Sequence, residues 1–159
     1  MGDRRKEDAI AAITTWVPGR HLDVCCGRGE FIAILRSRGF ECLGTEIVPS
    51  LTKPDIVQAW PDDLPFNDCE FDTVSCLDVI EHTIPGEEEA IIAELGRVCR
   101  GEVLIAINLK ESGYEGVQLH QNLKPLSEWT TILLRNLHGM DLLSLNAKGF
   151  SPVWVFGRQ

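Results

Sequence analysis

Residues 21–31 read His-Leu-Asp-Val-Cys-Cys-Gly-Arg-Gly-Glu-Phe, and this stretch constrains the fold more than any other. Leu22, Val24 and Cys25 suit a strand in the middle of a parallel sheet, apolar because both faces are covered. Gly27 and Gly29 let the chain turn sharply and bare its N–H groups where the next helix starts. The positive end of that helix dipole favours an anionic group. The order strand, glycine turn, helix points to an α/β fold with a ligand at the turn.

A second acid narrows the ligand. Residues 41–45 read as the next strand, ending at Glu46. Asp23 and Glu46 are 23 positions apart, close to the ~20-residue spacing at which an acid closing the second strand grips a ribose. One carboxylate accepts hydrogen bonds from both hydroxyls of a ribose diol. The combined signal is an adenosine-type ligand.

Residues 22–29 resemble the first motif of class I S-adenosylmethionine-dependent methyltransferases, with Cys25 where the first glycine is usual. Glu46 matches the ribose acid of that family. Asp63-Leu64-Pro65-Phe66 and the strand 71–75 resemble its Leu-Pro-Phe segment and fourth strand, and Asp78-Val79-Ile80-Glu81-His82 resembles the Glu-His turn that follows. The resemblance runs from about Ala9 to Phe156. It implies a Rossmann-like three-layer sandwich with about seven strands, mostly parallel, the last one antiparallel. It implies one domain over residues 1–159, in which an N-terminal helix within 1–20 covers the cofactor site. The cofactor would be S-adenosylmethionine, leaving S-adenosylhomocysteine as product. Asp23, Cys25, Gly27 and Gly29 would hold its methionine end, and Leu77 and Asp78 would lie near the sulfur. The adenine would lie against Ala59 and Trp60. The family commonly has an acid at the position of Trp60, so its ring either stacks on adenine or packs in the core, with Asp62 or Asp63 as substitute acids.

Two histidines are candidates for general base. His82 follows the fourth strand and either takes a proton or caps the turn on a backbone carbonyl. His120 lies in an irregular loop over the expected acceptor side, where it is either a base or simply solvated; the ordinary imidazole pKa suits a base.

Composition excludes other classes. The chain of 159 residues has the length of one domain. With 15 basic and 24 acidic residues its net charge is −9, which argues against a broad nucleic-acid surface. There is no run long enough to span a membrane, and the charged start at residues 3–8 does not read as a signal peptide. The six cysteines form no Cys-x-x-Cys pair and the histidines are not at ligand spacing to them, so no metal site is expected. They read as small buried apolar residues of a cytoplasmic protein.

The rest of the chain reads as follows. A helix is expected over 7–17, with Ile10, Ala11, Ile13, Thr14 and Val17 on its apolar stripe, and another from the glycine turn to Arg38, stopped by Gly39. Prolines 49, 54, 61 and 65 reduce the second crossover helix to a loop or single turn, leaving a short strand at 55–58. A strand over 71–77 leads to a helix opened by Glu87-Glu88-Glu89 and stopped by Gly101, then a strand over 103–108. Residues 109–124 are irregular; 125–137 form a helix that Ser127 could cap; 141–146 and 153–156 form a closing hairpin.

The function implied is transfer of the sulfonium methyl to a nucleophile, first of all on a small molecule. The alternative is a non-catalytic or regulatory cofactor-binding subunit that acts with a partner protein; a homo-oligomer is also open. A nicotinamide-dinucleotide enzyme fits less well, because Asp23 and the Leu-Pro-Phe and Glu-His segments have no role there.

Overall fold

A computed structural model describes residues 4–13, 15–149 and 151–159, with side chains from Asp8 onward. In chain order the elements are α1 (Arg4–Ala12), β1 (Arg20–Val24), α2 (Glu30–Ser37), β2 (Glu41–Glu46), β3 (Ile56–Gln58), β4 (Phe71–Leu77), α3 (Glu88–Val98), β5 (Cys99–Ala106), β6 (Gly113–Tyr114), β7 (Val117–Gln118), α4 (Leu126–Asn136), β8 (Asp141–Asn146) and β9 (Val153–Gly157).

Among the described residues, seven strands form one sheet in the order β3-β2-β1-β4-β5-β9-β8. Strands β1 to β5 run parallel, and β9 is antiparallel to both β5 and β8. The order reverses between β1 and β4, and ligands in open sheets of this kind bind at the strand carboxyl ends beside that point.

Two apolar clusters cover the sheet. On one face Ile91, Leu95, Trp129 and Leu133 of α3 and α4 pack with Leu22, Val24, Val74 and Ile105. On the other, Ala9 and Ile13 pack with Phe31, Ile32 and Leu35 of α2 and with Leu104 and Val155. The result is the expected three-layer arrangement. Strand β5 is apolar on both sides for this reason, with Val103 and Ile105 on one face and Leu104 and Ala106 on the other, whereas β1 and β4 place buried His21, Asp23, Thr73 and Ser75 among their residues.

Several boundaries differ from the expectation. α1 ends at Ala12, well before Pro18; Thr14 lies outside the described residues. β1 ends at Val24, and Cys25 takes a left-handed conformation (φ 54°), so it belongs to the turn and not to the strand. Gly101 does not stop α3. It lies inside β5, where a Cβ would come 2.3 Å from the Asp72 carbonyl oxygen, so that the absence of a side chain is a packing requirement of the β4–β5 pair. Ser127 does not cap α4: the cap position is Pro125, without a side-chain bond, and Ser127 already lies in the first turn. The expected shortening between β2 and β4 holds, with a 3-10 turn over Pro49–Leu51.

The cysteines divide. Cys42, Cys76 and Cys99 are buried in strands, Cys25 and Cys26 are half-buried at the turn, and Cys69 is exposed, which corrects the expectation of six buried thiols. Cys69 sits in a left-handed turn (φ 55°) that donates its N–H to Arg97 O, outside the apolar layers.

Candidate active site at the carboxyl edge of the sheet

The turn after β1 is held from three sides. Cys26 donates its N–H to Thr45 O at 2.9 Å, and Gly29 donates to Cys26 O at 3.0 Å. Gly27 donates to Glu46 Oε2 at 2.9 Å. Gly27 and Gly29 both take left-handed φ values, 58° and 78°. A Cβ built on Gly27 meets nothing within 4 Å, so this glycine borders open space, whereas one on Gly29 would press on Ile56 at 3.1 Å. The two glycines thus differ in surroundings: Gly27 faces open space, and Gly29 packs closely against Ile56.

Glu46 is buried, and its other oxygen accepts N–H bonds from Ile47 at 2.8 Å and Val48 at 3.1 Å. A carboxylate has about four acceptor sites, so three backbone bonds leave limited capacity in this conformation. The carboxylate therefore braces the glycine turn, apart from the ribose contact expected of it. Spacing did not reveal this first role.

Asp23 is buried and accepts the Ser75 hydroxyl at 2.5 Å. Behind it lies a polar chain that sequence reasoning missed. His21 Nε2 lies 2.9 Å from Ser75 Oγ, and Nδ1 lies 2.8 Å from Thr73 Oγ1. The serine proton goes to the carboxylate, so His21 donates from Nε2 and accepts the Thr73 hydroxyl at Nδ1. Burial drives the His21 pKa down to about 3, so the ring is neutral. The only sequence sign was a histidine, a threonine and a serine at inward-facing positions of two strands, and their pairing follows from the β1–β4 register.

The two carboxylates make the turn electronegative. Burial first, then the Glu46 and Asp23 charges, push the Cys25 thiol up to about 12; Cys26 is raised to about 12 by burial and the same two charges. Such a field suits a cationic ligand group.

The remaining expected positions lie on the same edge. Ala59 is buried and donates its N–H to Glu46 O at 3.2 Å. Trp60 is 67% exposed, which overturns core packing as its role. Leu77 ends β4, and Asp78 follows in a left-handed conformation (φ 55°), donating its N–H to Ala106 O at 2.9 Å. The segment at Leu64 is anchored by Arg97, whose guanidinium donates to Leu64 O at 3.0 Å and Phe66 O at 2.8 Å, while Glu94 accepts the Leu64 N–H at 2.9 Å.

His82 and His120 come together although 38 positions separate them. Their rings meet edge to face at 4.7 Å. His82 is exposed and its Nδ1 bonds Leu119 O at 3.0 Å, which is the carbonyl-capping role weighed for it. His120 is 6% exposed and its Nδ1 bonds Lys110 O, so the solvated-loop reading of His120 is wrong. Buried Glu81 joins them, its Oε1 accepting the Asn108 N–H at 3.0 Å. The loop is pinned by Asn122, which donates its N–H to Glu81 O at 3.0 Å and its side-chain amide to Glu88 at 2.9 Å.

A doubly wound sheet with a glycine turn after β1, a buried acid closing β2 and a ligand edge at the switch point defines a nucleoside-binding α/β protein. The family described as a methyltransferase domain matches residues 3–145. The chain belongs to that family, of the class I S-adenosylmethionine-dependent kind, and this sets the dinucleotide alternative aside. It is 28% identical over 99 residues to an uncharacterized methyltransferase of Synechocystis; the match takes in 57% of this chain and 47% of that protein, so the matched segment spans about half the relative's length. Its fold is similar to magnesium protoporphyrin IX methyltransferase of Synechocystis with bound S-adenosylhomocysteine (TM-score 0.78, 18% identity, 98% of this chain and 83% of that one). It is also similar to a chain of the complex between the Haloferax volcanii Trm112 methyltransferase activator and a methyltransferase (TM-score 0.77, 14% identity, 97% and 88%). No helix among the described residues is long and apolar enough to cross a membrane.

Proposed function

We propose that this protein moves the methyl group of S-adenosylmethionine to a nucleophile on a small molecule, in a cytoplasmic setting. The observation that carries the reading is the convergence of Asp23, Gly27, Glu46 and Asp78 at the carboxyl ends of β1, β2 and β4. The donor set fits the cofactor. Open space at Gly27 admits it, and the carboxylates that raise the Cys25 thiol attract its ammonium and sulfonium charges.

The bound cofactor supplies an electrophilic methyl carbon on sulfur. Asp23 and the turn at Cys25, Gly27 and Gly29 hold the methionine end; Glu46 takes the ribose hydroxyls, turning from the Ile47 and Val48 N–H groups to do so. Ala59 and the exposed face of Trp60 receive the adenine. Leu77 and Asp78 line the sulfur end. Positioning alone contributes several kcal/mol to such a displacement. For an acceptor that must lose a proton, His120 or His82 takes it at Nε2, since Nδ1 of each is engaged with a carbonyl.

A second reading has its own support. Tyr114, Val117, Leu119 and Leu123 expose apolar surface on the loop beside the acceptor side, between 37% and 67% of each residue. A structural relative is found with an activator protein. In this reading the chain binds the cofactor and a partner completes or directs the activity.

Titration calorimetry with S-adenosylmethionine, S-adenosylhomocysteine and NAD, followed by a radiolabelled-methyl assay over small-molecule acceptors, tests both. Saturable binding of the adenosyl ligands with methyl transfer by the isolated chain supports the first reading. Binding without turnover, restored by a co-purifying protein, supports the second. Binding of NAD alone overturns both.

A further inference from the structure

We propose that Glu81, His82 and His120 form a binding site for a divalent transition-metal cation, zinc foremost. A ring nitrogen of each histidine and a carboxylate oxygen of Glu81 all lie within 4.8 Å of one another. Three atoms so spaced always have a point within roughly 2.8 Å of all of them, so shifts of about 0.7 Å per side chain reach ordinary zinc bond lengths of about 2.1 Å.

The protonation pattern fits. A carbonyl oxygen only accepts, so the Nδ1 atoms that face Leu119 O and Lys110 O carry the ring protons. The nitrogen that each ring leaves for a cation is therefore Nε2. An imidazole that donates one N–H to a backbone carbonyl is oriented and made more basic as a ligand at its other nitrogen. A lone base needs one such ring, and here two meet edge to face at 4.7 Å over a carboxylate.

The frame is rigid. Asn122 ties the loop of His120 to Glu81 O, and its amide bonds Thr83 Oγ1 at 3.1 Å and Glu88 Oε2 at 2.9 Å. Lys124 bonds Glu88 at 3.0 Å, neutralising that acid beside the site. Two imidazoles and one carboxylate select a borderline cation; magnesium and calcium prefer all-oxygen sets. Exposed His82 gives an entry path and a side open to a further ligand, such as water or an acceptor oxygen. With the cation bound, the Nε2 atoms are ligands and not bases, and the cation lowers the acceptor's pKa in their place. Cation binding itself does not rest on the methyl-transfer reading; the role toward the acceptor does.

The full chain, stripped with chelator, is titrated with Zn2+ by calorimetry and with Co2+ by visible absorption. One equivalent of Zn2+ is expected to bind at micromolar concentration or tighter, with d–d bands for Co2+. His82→Ala and His120→Ala are each expected to weaken Zn2+ binding by about 100-fold or more. Glu81→Gln, which keeps the side chain's size, is expected to weaken it as well. Circular dichroism of each metal-free variant separates loss of a ligand from loss of fold. No Zn2+ binding by the parent chain, or undiminished binding in folded His82→Ala and His120→Ala, overturns the site. S-adenosylmethionine titration of the same preparation reads the cofactor site independently, so either proposal fails without the other.

Discussion

Gly27 donates its backbone N–H to Glu46 Oε2 at 2.9 Å, so the acid that ends β2 buttresses the glycine turn that ends β1. The residue expected to hold the ribose thus also shapes the loop expected to hold the methionine end.

Replacing Glu46 therefore has two effects. Glu46→Ala removes the acceptor proposed for the ribose and releases the Gly27, Ile47 and Val48 N–H groups. Hydrogen bonds to charged groups contribute about 1.5–3 kcal/mol each, so S-adenosylmethionine affinity is expected to fall about 100-fold. Calorimetric titration checks this, and unchanged affinity would remove Glu46 from the cofactor site.

Gly27→Ala adds a methyl group on the open side of the turn at a φ of 58°. Left-handed backbone costs a non-glycine residue about 1 kcal/mol, so urea denaturation is expected to show a small loss of stability. Cofactor affinity is expected to fall further than stability, because the Cβ enters the open space proposed for the ligand. Equal losses in both would mean that the ligand lies elsewhere.

His21 makes the fold acid-sensitive at mild pH. Its ring stays neutral in the folded protein down to about pH 3, whereas in the unfolded chain it takes up a proton near 6.5. Between those values the unfolded state holds more protons, so this contribution is complete above 6.5 and falls as pH drops. The slope is at most about 1.4 kcal/mol per pH unit. Chemical denaturation at pH 7.5, 6 and 5 reads it directly, and His21→Gln is expected to flatten the profile. A parent chain equally stable across that range contradicts the buried neutral ring.

Arg97 anchors the segment that follows the proposed adenine contacts Ala59 and Trp60, through Leu64 O and Phe66 O, and pairs with Glu94 and Asp68. Lysine keeps the charge but not the planar fork. Arg97→Lys is expected to cost about 1–3 kcal/mol in urea denaturation and to weaken cofactor binding. Full stability with weakened binding would show that the anchor acts on the segment alone.

Much of this molecule was legible because its signals are local. The strand–glycine–helix order, the acid 23 positions on and the four prolines between β2 and β4 each act within a few residues of where they stand. Strand β4 appeared at its expected bounds, as did the closing hairpin to within a residue. Gly101 and Ser127 misled for one reason: a glycine or serine near a helix end resembles a stop or a cap, and only packing against Asp72 or the placement of Pro125 decides.

The sequence by itself determined the α/β class, the order of the elements and the positions of Asp23, Gly27 and Glu46, because backbone preference and apolar periodicity are read along the chain. Only the tertiary structure decided that Glu46 reaches Gly27, that His21 lines up behind Asp23 through Ser75, and that His120 meets His82 and Glu81. These are contacts between segments 19 to 54 positions apart. Sheet register and an anchored loop create them, and neither is written in the spacing of the residues that meet.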